Sequence, residues 1–197
     1  MPSPNRTRAR RPLRVAAILL LVGTGLACAG HGPPPRVVDG VDLDRYLGRW
    51  YEIASFPQRF QRGCVATRAT YSKREDGRIR VVNECRDGSL DGELRSIEGV
   101  AWVSDPEQSQ AKLEVQFFWP FRGDYWILAL DPGYRHALVG NPDRDSLWIL
   151  SRTPKLDEES LAALRADAAA LGFDVDRLQR TLQSGAVPAP ASGRGGA

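Results

Sequence analysis

Three cysteines, two histidines and 24 carboxylates are the groups in this chain of 197 residues that could carry covalent, metal or acid–base chemistry. Their spacing argues against most of it. His31 stands in a proline-rich stretch and His136 far from it, so no Cys/His spacing forms a zinc set. No serine has the setting of a nucleophile elbow, and no nucleophile–base pair for a lipid hydrolase or isomerase emerges. Glu158 and Glu159 open a helical pattern, where they favour the dipole. No catalytic residue, metal site or cofactor is therefore expected. The cysteines point elsewhere: if Cys28 is consumed by processing, Cys64 and Cys85 remain, flanking an Asp76-Gly77 turn at similar distances. In an oxidising compartment they are expected to form a disulfide, the alternative being two buried thiols.

The positioning of Cys28 implies export. Arg6, Arg8, Arg10, Arg11 and Arg14 precede an apolar run over residues 13–27 that is short for a membrane span, the pattern of a signal peptide at 1–27. Leu26-Ala27-Cys28 resembles the lipobox of bacterial lipoproteins, with Gly25 where Leu is usual. That resemblance implies a lipid on Cys28. Ala29, rather than Asp, after it implies the periplasmic face of the outer membrane. Cleavage after Ala29 would instead leave a soluble periplasmic or secreted protein. Without residues 1–27 the chain holds 22 basic and 24 acidic residues, so nucleic acid is not an expected partner. Residues 28–40, with Gly32-Pro33-Pro34-Pro35, read as a tether, and 184–197, rich in Gly, Pro and Ala, as a disordered tail. The domain is expected at 41–183.

Within it, Asp42 N-caps a short helical turn that runs through Gly48 into Trp50, a large ring suited to plugging a barrel end. Strands are expected at 50–55, 65–72, 78–85, 93–103, 111–118, 124–131, 136–140 and 146–152, separated by Gly, Pro and Asp turns. Eight strands with short connections imply an all-β, antiparallel up-and-down barrel, closed so that no edge is exposed. The period then changes: Asp157 caps a helix over 158–171, with Leu161, Leu164, Ala168 and Leu171 on one face and Gly172 at its end. Such a helix packs outside the barrel.

Alternation places every second side chain inside. With Tyr71 inward, the interior set is Val65, Thr67, Ala69, Tyr71, Ile79, Val81, Asn83, Ile97, Gly99, Ala101, Leu113, Val115, Phe117, Tyr125, Ile127, Ala129 and Trp148. Small Gly99 and Ala101 would leave room for an alkyl chain, with Asn83 or Tyr71 orienting a polar head. Loops at the opposite, open end carry Phe56, Phe60, Phe118, Trp119 and Phe121, which would gate the cavity, touch a membrane, or cap the barrel against one another.

Three segments carry a resemblance. Residues 46–54, YLGRWYEIA, 130–139, LDPGYRHALV, and 147–154, LWILSRTP, resemble the three motifs of the lipocalins, in order and spacing, over about 41–179. The chain resembles the bacterial outer-membrane lipocalins, the group close to apolipoprotein D and the plant temperature-induced lipocalins. The resemblance implies that Tyr71, Asn83, Phe117, Tyr125 and Trp148 line a pocket. It implies that Gly48, Trp50, Asp131, Tyr134 and Arg152 close one end of the barrel. The expected function is binding and storing or carrying a small amphiphile such as a fatty acid or lysophospholipid. The alternatives are a structural envelope protein with a filled barrel and a lipid-modifying enzyme. A homodimer is compatible with the sequence.

Overall fold

A computed structural model describes residues 32–184. The expected signal peptide, Cys28 and the tail from 185 onward lie outside the described residues. Eight strands run in succession: β1 Gly48–Ser55, β2 Cys64–Lys73, β3 Ile79–Asp87, β4 Leu94–Asp105, β5 Ser109–Phe118, β6 Phe121–Leu130, β7 His136–Gly140 and β8 Leu147–Ser151. Each pairs antiparallel with the next, and β1 pairs with both β8 and β2, so the sheet closes into a barrel. The helical turn α1, Leu43–Tyr46, lies before β1, and α2, Glu158–Ala170, follows β8.

Closure creates two apolar clusters. One lies inside the barrel around Trp50, Tyr71, Val81, Leu113, Ile127 and Val139. The other lies between the outer wall and α2, where Leu161, Leu164 and Ala168 meet Phe56, Leu138, Ile149 and Phe173. Asp157 caps α2 by accepting from Ser160 N at 2.7 Å, and Gly172, at φ +85°, turns the chain after it. Two bulges decide which residues go where. A register shift between Glu52 and Ala54 turns Ile53 and Ala54 toward α2, and one between Ile127 and Ala129 does the same to Ala129, which was expected inside.

Two features depart from the expected pattern. β6 begins at Phe121, earlier than expected, because Phe118 and Phe121 pair across a tight Trp119-Pro120 turn. Residues 121–124 are exposed there, which hides the strand's apolar alternation. The second feature is an added strand, β9, Gln179–Arg180, which pairs with β1 at Ala54 and Ser55. The described part of the expected tether lies against the barrel: Pro35 is buried, and Val38 N donates to Ile127 O at 3.0 Å. Arg144 Nη2 donates to Pro33 O at 2.6 Å, so this segment starts beside the β7–β8 loop.

The disulfide joins Cys64, at the start of β2, to Cys85 on β3. It closes a loop of 21 residues, for which the chain-entropy account gives about 3 kcal/mol. Urea unfolding of Cys64→Ser/Cys85→Ser should show a loss of that order; an unchanged midpoint would mean the bridge adds no net stability.

Candidate functional site: the barrel cavity

At the closed end, Trp50 is fully buried and its indole Nε1 donates to Tyr46 O at 2.8 Å, tying α1 to β1. The Arg152 guanidinium lies 3.9 Å from the Trp50 ring centroid. It also donates to the carbonyls of Arg45, Tyr46, Arg49 and Tyr134. Gly48 stands at φ +95°, a conformation that favours glycine, and a Cβ there would press on Arg152 Nη1 at 3.3 Å. Tyr134 Oη accepts from Asp42 N at 2.8 Å and carries Arg45 4.1 Å above its ring. Asp131 accepts from Gly133 N and from Arg135 through its backbone and guanidinium. Those bonds hold its carboxyl well below the usual carboxylate range. These residues brace the floor.

Above the floor is a cavity of about 360 Å³, within the range of small-molecule sites. Its walls are mostly apolar: Ala69, Ile79, Val81, Ala101, Leu113, Val115, Phe117, Trp148 and Leu150. Of the residues expected to line it, Tyr71, Asn83, Val115, Phe117, Tyr125 and Trp148 lie on its surface. Ile97 and Gly99 do not. A Cβ on Gly99 would lie 2.7 Å from the Phe117 ring and from Gln116 O. The space beside Gly99 thus holds the Phe117 ring, not a free channel for an alkyl chain. Ile97, two residues nearer the mouth, is half-buried off the cavity wall.

The mouth corrects a further expectation. Phe60, Phe118, Trp119 and Phe121 are 65%, 67%, 86% and 76% exposed, so they do not cap the barrel against one another. Phe60, Phe118 and Phe121 border the cavity. Phe56 is not on the rim. It is fully buried outside the barrel, 6.4 Å from the Phe173 ring, with Arg177 over its face at 4.4 Å. The cause is the β1 bulge together with one more rung of pairing, Phe56 N donating to Leu147 O at 2.9 Å.

Sequence reasoning missed several cavity residues. Tyr46 reaches the floor from α1, and Glu52 faces the cavity two residues after Trp50. The Glu52 carboxylate is buried and forms no salt bridge among the described residues. It accepts instead from Ser55 Oγ at 3.0 Å, Gln61 Nε2 at 2.9 Å and Thr181 Oγ1. Alternation from Trp50 carried a signal for Glu52. Nothing local announced Gln183, which is buried and donates from Nε2 to Glu52 O at 2.8 Å and to Thr67 O at 2.7 Å.

The closed eight-stranded barrel with its outer helix and open cavity has relatives of known family. The description "Lipocalin-like domain" matches residues 41–183. The chain is a lipocalin. It is 47% identical to temperature-induced lipocalin-1 of Arabidopsis thaliana, over 78% of this chain and 85% of that one. It is 46% identical to outer membrane lipoprotein Blc of Citrobacter freundii, over 89% and 99%. Apolipoprotein D of Mus musculus is 38% identical over 79% and 84%. Among solved structures, insecticyanin from Manduca sexta superposes with a TM-score of 0.62 at 22% identity, over 77% and 86%, a likeness of fold. Lipocalins are generally binding and transport proteins, and this lipocalin has the cavity for a small hydrophobic ligand.

Proposed function

We propose that this lipocalin is anchored by lipid on Cys28 to the periplasmic face of the outer membrane and binds a single-chain amphiphile, a fatty acid or lysophospholipid, in its cavity. The observation that carries the reading is an apolar cavity of about 360 Å³ opening between exposed aromatic rings. Val115, Phe117, Tyr125 and Trp148 would hold the chain, and Asn83 and Tyr71 would meet polar atoms. Phe60, Trp119 and Phe121 would touch the bilayer at the mouth, with Arg59, Arg62 and Arg122 near them in sequence to meet anionic headgroups. Pro33 lies at this same open end, so an anchor upstream of it would present the mouth to the membrane. The name of the Blc relatives, outer membrane lipoprotein, supports the location.

Burying a chain removes CH₂ groups from water at about 0.8 kcal/mol each, so affinity should rise about fourfold per carbon until the cavity is full, then level off. Titration of a saturated fatty-acid and lysophospholipid series, read by tryptophan fluorescence, tests this. Trp148→Phe should remove most of the signal change. Affinity independent of chain length, or an unaltered signal in Trp148→Phe, would count against the cavity as the binding site. Palmitate labelling that persists in Cys28→Ser would place the anchor elsewhere.

A further inference from the structure

The walls of the cavity are apolar, but its floor is not. Tyr46 from α1, Tyr71 from β2 and Tyr125 from β6 bring three hydroxyls together on the cavity surface. Tyr71 Oη donates to Tyr125 Oη at 3.0 Å, and Tyr125 Oη shares a second bond of 2.7 Å with Tyr46 Oη. The rings hold one another in place, with centroids 5.8 Å apart for Tyr46 and Tyr71 and 5.9 Å for Tyr71 and Tyr125.

Counting protons shows what the cluster lacks. Three phenols carry three O–H protons, and two hydrogen bonds use two of them. If Tyr125 donates to Tyr46, the proton of Tyr46 is left over; if Tyr46 donates, that of Tyr125 is. Either way one O–H finds no acceptor among the described residues, and it lies at the floor of the open cavity. Water entering through the mouth accepts from it until a ligand fills the cavity, and a chain that brings its own acceptor then avoids the cost of leaving that donor unpaired.

The chemistry of that acceptor can be narrowed. A carboxylate needs several donors or a free cation when taken out of water, and the floor offers one spare proton. Arg152 already spends its N–H groups on backbone carbonyls. A ketone or aldehyde oxygen needs one donor only. Burial raises the pKa of all three tyrosines, that of Tyr71 to about 12, so the donor persists across the physiological range.

We propose that the tyrosine cluster Tyr46–Tyr71–Tyr125 is a subsite for a neutral carbonyl oxygen at the buried end of the ligand, so that the barrel selects chains oxygenated at both ends. The inference rests on the amphiphile reading of the cavity and adds to it a choice among chains. The hydroxyl count also sets an unusual mutational pattern. Any single Tyr→Phe exchange leaves at least one O–H proton unused, because a cluster of two hydroxyls has at most one internal bond. Only Tyr46→Phe/Tyr71→Phe/Tyr125→Phe abolishes the site, and it removes donors and acceptors together at nearly constant shape, which preserves the fold.

The test compares a fatty acid, at the chain length that binds tightest, with the same acid carrying a ketone on its penultimate carbon. Dissociation constants and the infrared ketone stretch of the bound oxo acid are measured on wild type, the three single variants and the triple variant. In wild type the oxo acid should bind at least as tightly as its parent, with the ketone stretch at lower frequency than in hexane. The single variants should keep that lowered frequency. The triple variant, its melting curve confirming the fold, should lose it and shift the affinity ratio about tenfold toward the parent acid. A hexane-like ketone stretch in wild type, or the same affinity ratio in wild type and the triple variant, would overturn the proposal and leave the spare proton to water. Binding of neither acid to wild type would overturn the amphiphile reading and this proposal with it.

Discussion

Replacing Trp50 by alanine should destabilise the barrel by about 3–5 kcal/mol, the range for deleting a large buried ring whose cavity cannot collapse. Collapse is resisted here by the neighbours. Tyr46 packs against the ring with centroids 4.8 Å apart, and Arg152, over the ring at 3.9 Å, is held by four backbone carbonyls that fix its position independently of the indole. The loss is thus more than area. Trp50 Nε1 satisfies Tyr46 O, the last carbonyl of α1, so the variant also loosens the turn that carries one floor hydroxyl. Arg152→Ala should cost less in stacking, about 1 kcal/mol, but leaves several carbonyls short of a donor. Because the two side chains touch, their effects should not add: urea unfolding of both single variants and the double variant should give a coupling above 0.5 kcal/mol. Additive losses would mean that the ring and the guanidinium are separate supports.

The barrel was legible because its signals are local and repeated: eight short apolar runs, each followed by a Gly, Pro or Asp turn, then a change of period at Asp157. What stayed hidden depends on bulges, which a period of two cannot register. The shift between Glu52 and Ala54 sends Phe56 to the helix side, although its neighbours Pro57 and Gln58 read as a loop on the rim. The shift between Ile127 and Ala129 removes Ala129 from the interior in the same way.

The cavity shows a second kind of limit. Tyr71, Tyr125 and Trp148 could be placed from alternation, yet the room around them could not, since Gly99 reads as space and is filled by a ring from the adjacent strand. Tyr46 belongs to the short helical turn that Asp42 caps and to the first of the three motifs. That its hydroxyl would meet two others needs the barrel to exist first, because Tyr71 is 25 residues and Tyr125 79 residues further along.

Replacing Gln183 by methionine should cost on the order of 2–4 kcal/mol, from two buried carbonyls left without donors, although the side chain keeps its length and apolar bulk. The effect arises from how the barrel closes. β1 and β2 pair only from Gly48 to Tyr51 against Tyr71 to Arg68; beyond that, Ala66 at φ +49° turns β2 away, and the strands part toward the mouth. The chain after α2 fills the seam. Arg180 pairs with Ala54, Thr181 N donates to Ile53 O at 3.0 Å, and Ala66 N donates to Leu182 O at 2.6 Å. Gln183 then bridges both strands, one amide nitrogen serving Glu52 O and Thr67 O. Glu52 and Thr67 line the cavity, so this seam is also part of its wall. Loss of the bridge should therefore act on binding as well as stability, with faster dissociation of a bound fatty acid in Gln183→Met than in wild type. Hydrogen exchange should quicken at the amides of Ala66 and Thr181 while those of β3 and β4 keep their protection. Uniform exchange across all strands, with unaltered ligand dissociation, would show that Gln183 supports the fold at large and that the seam does not open by itself.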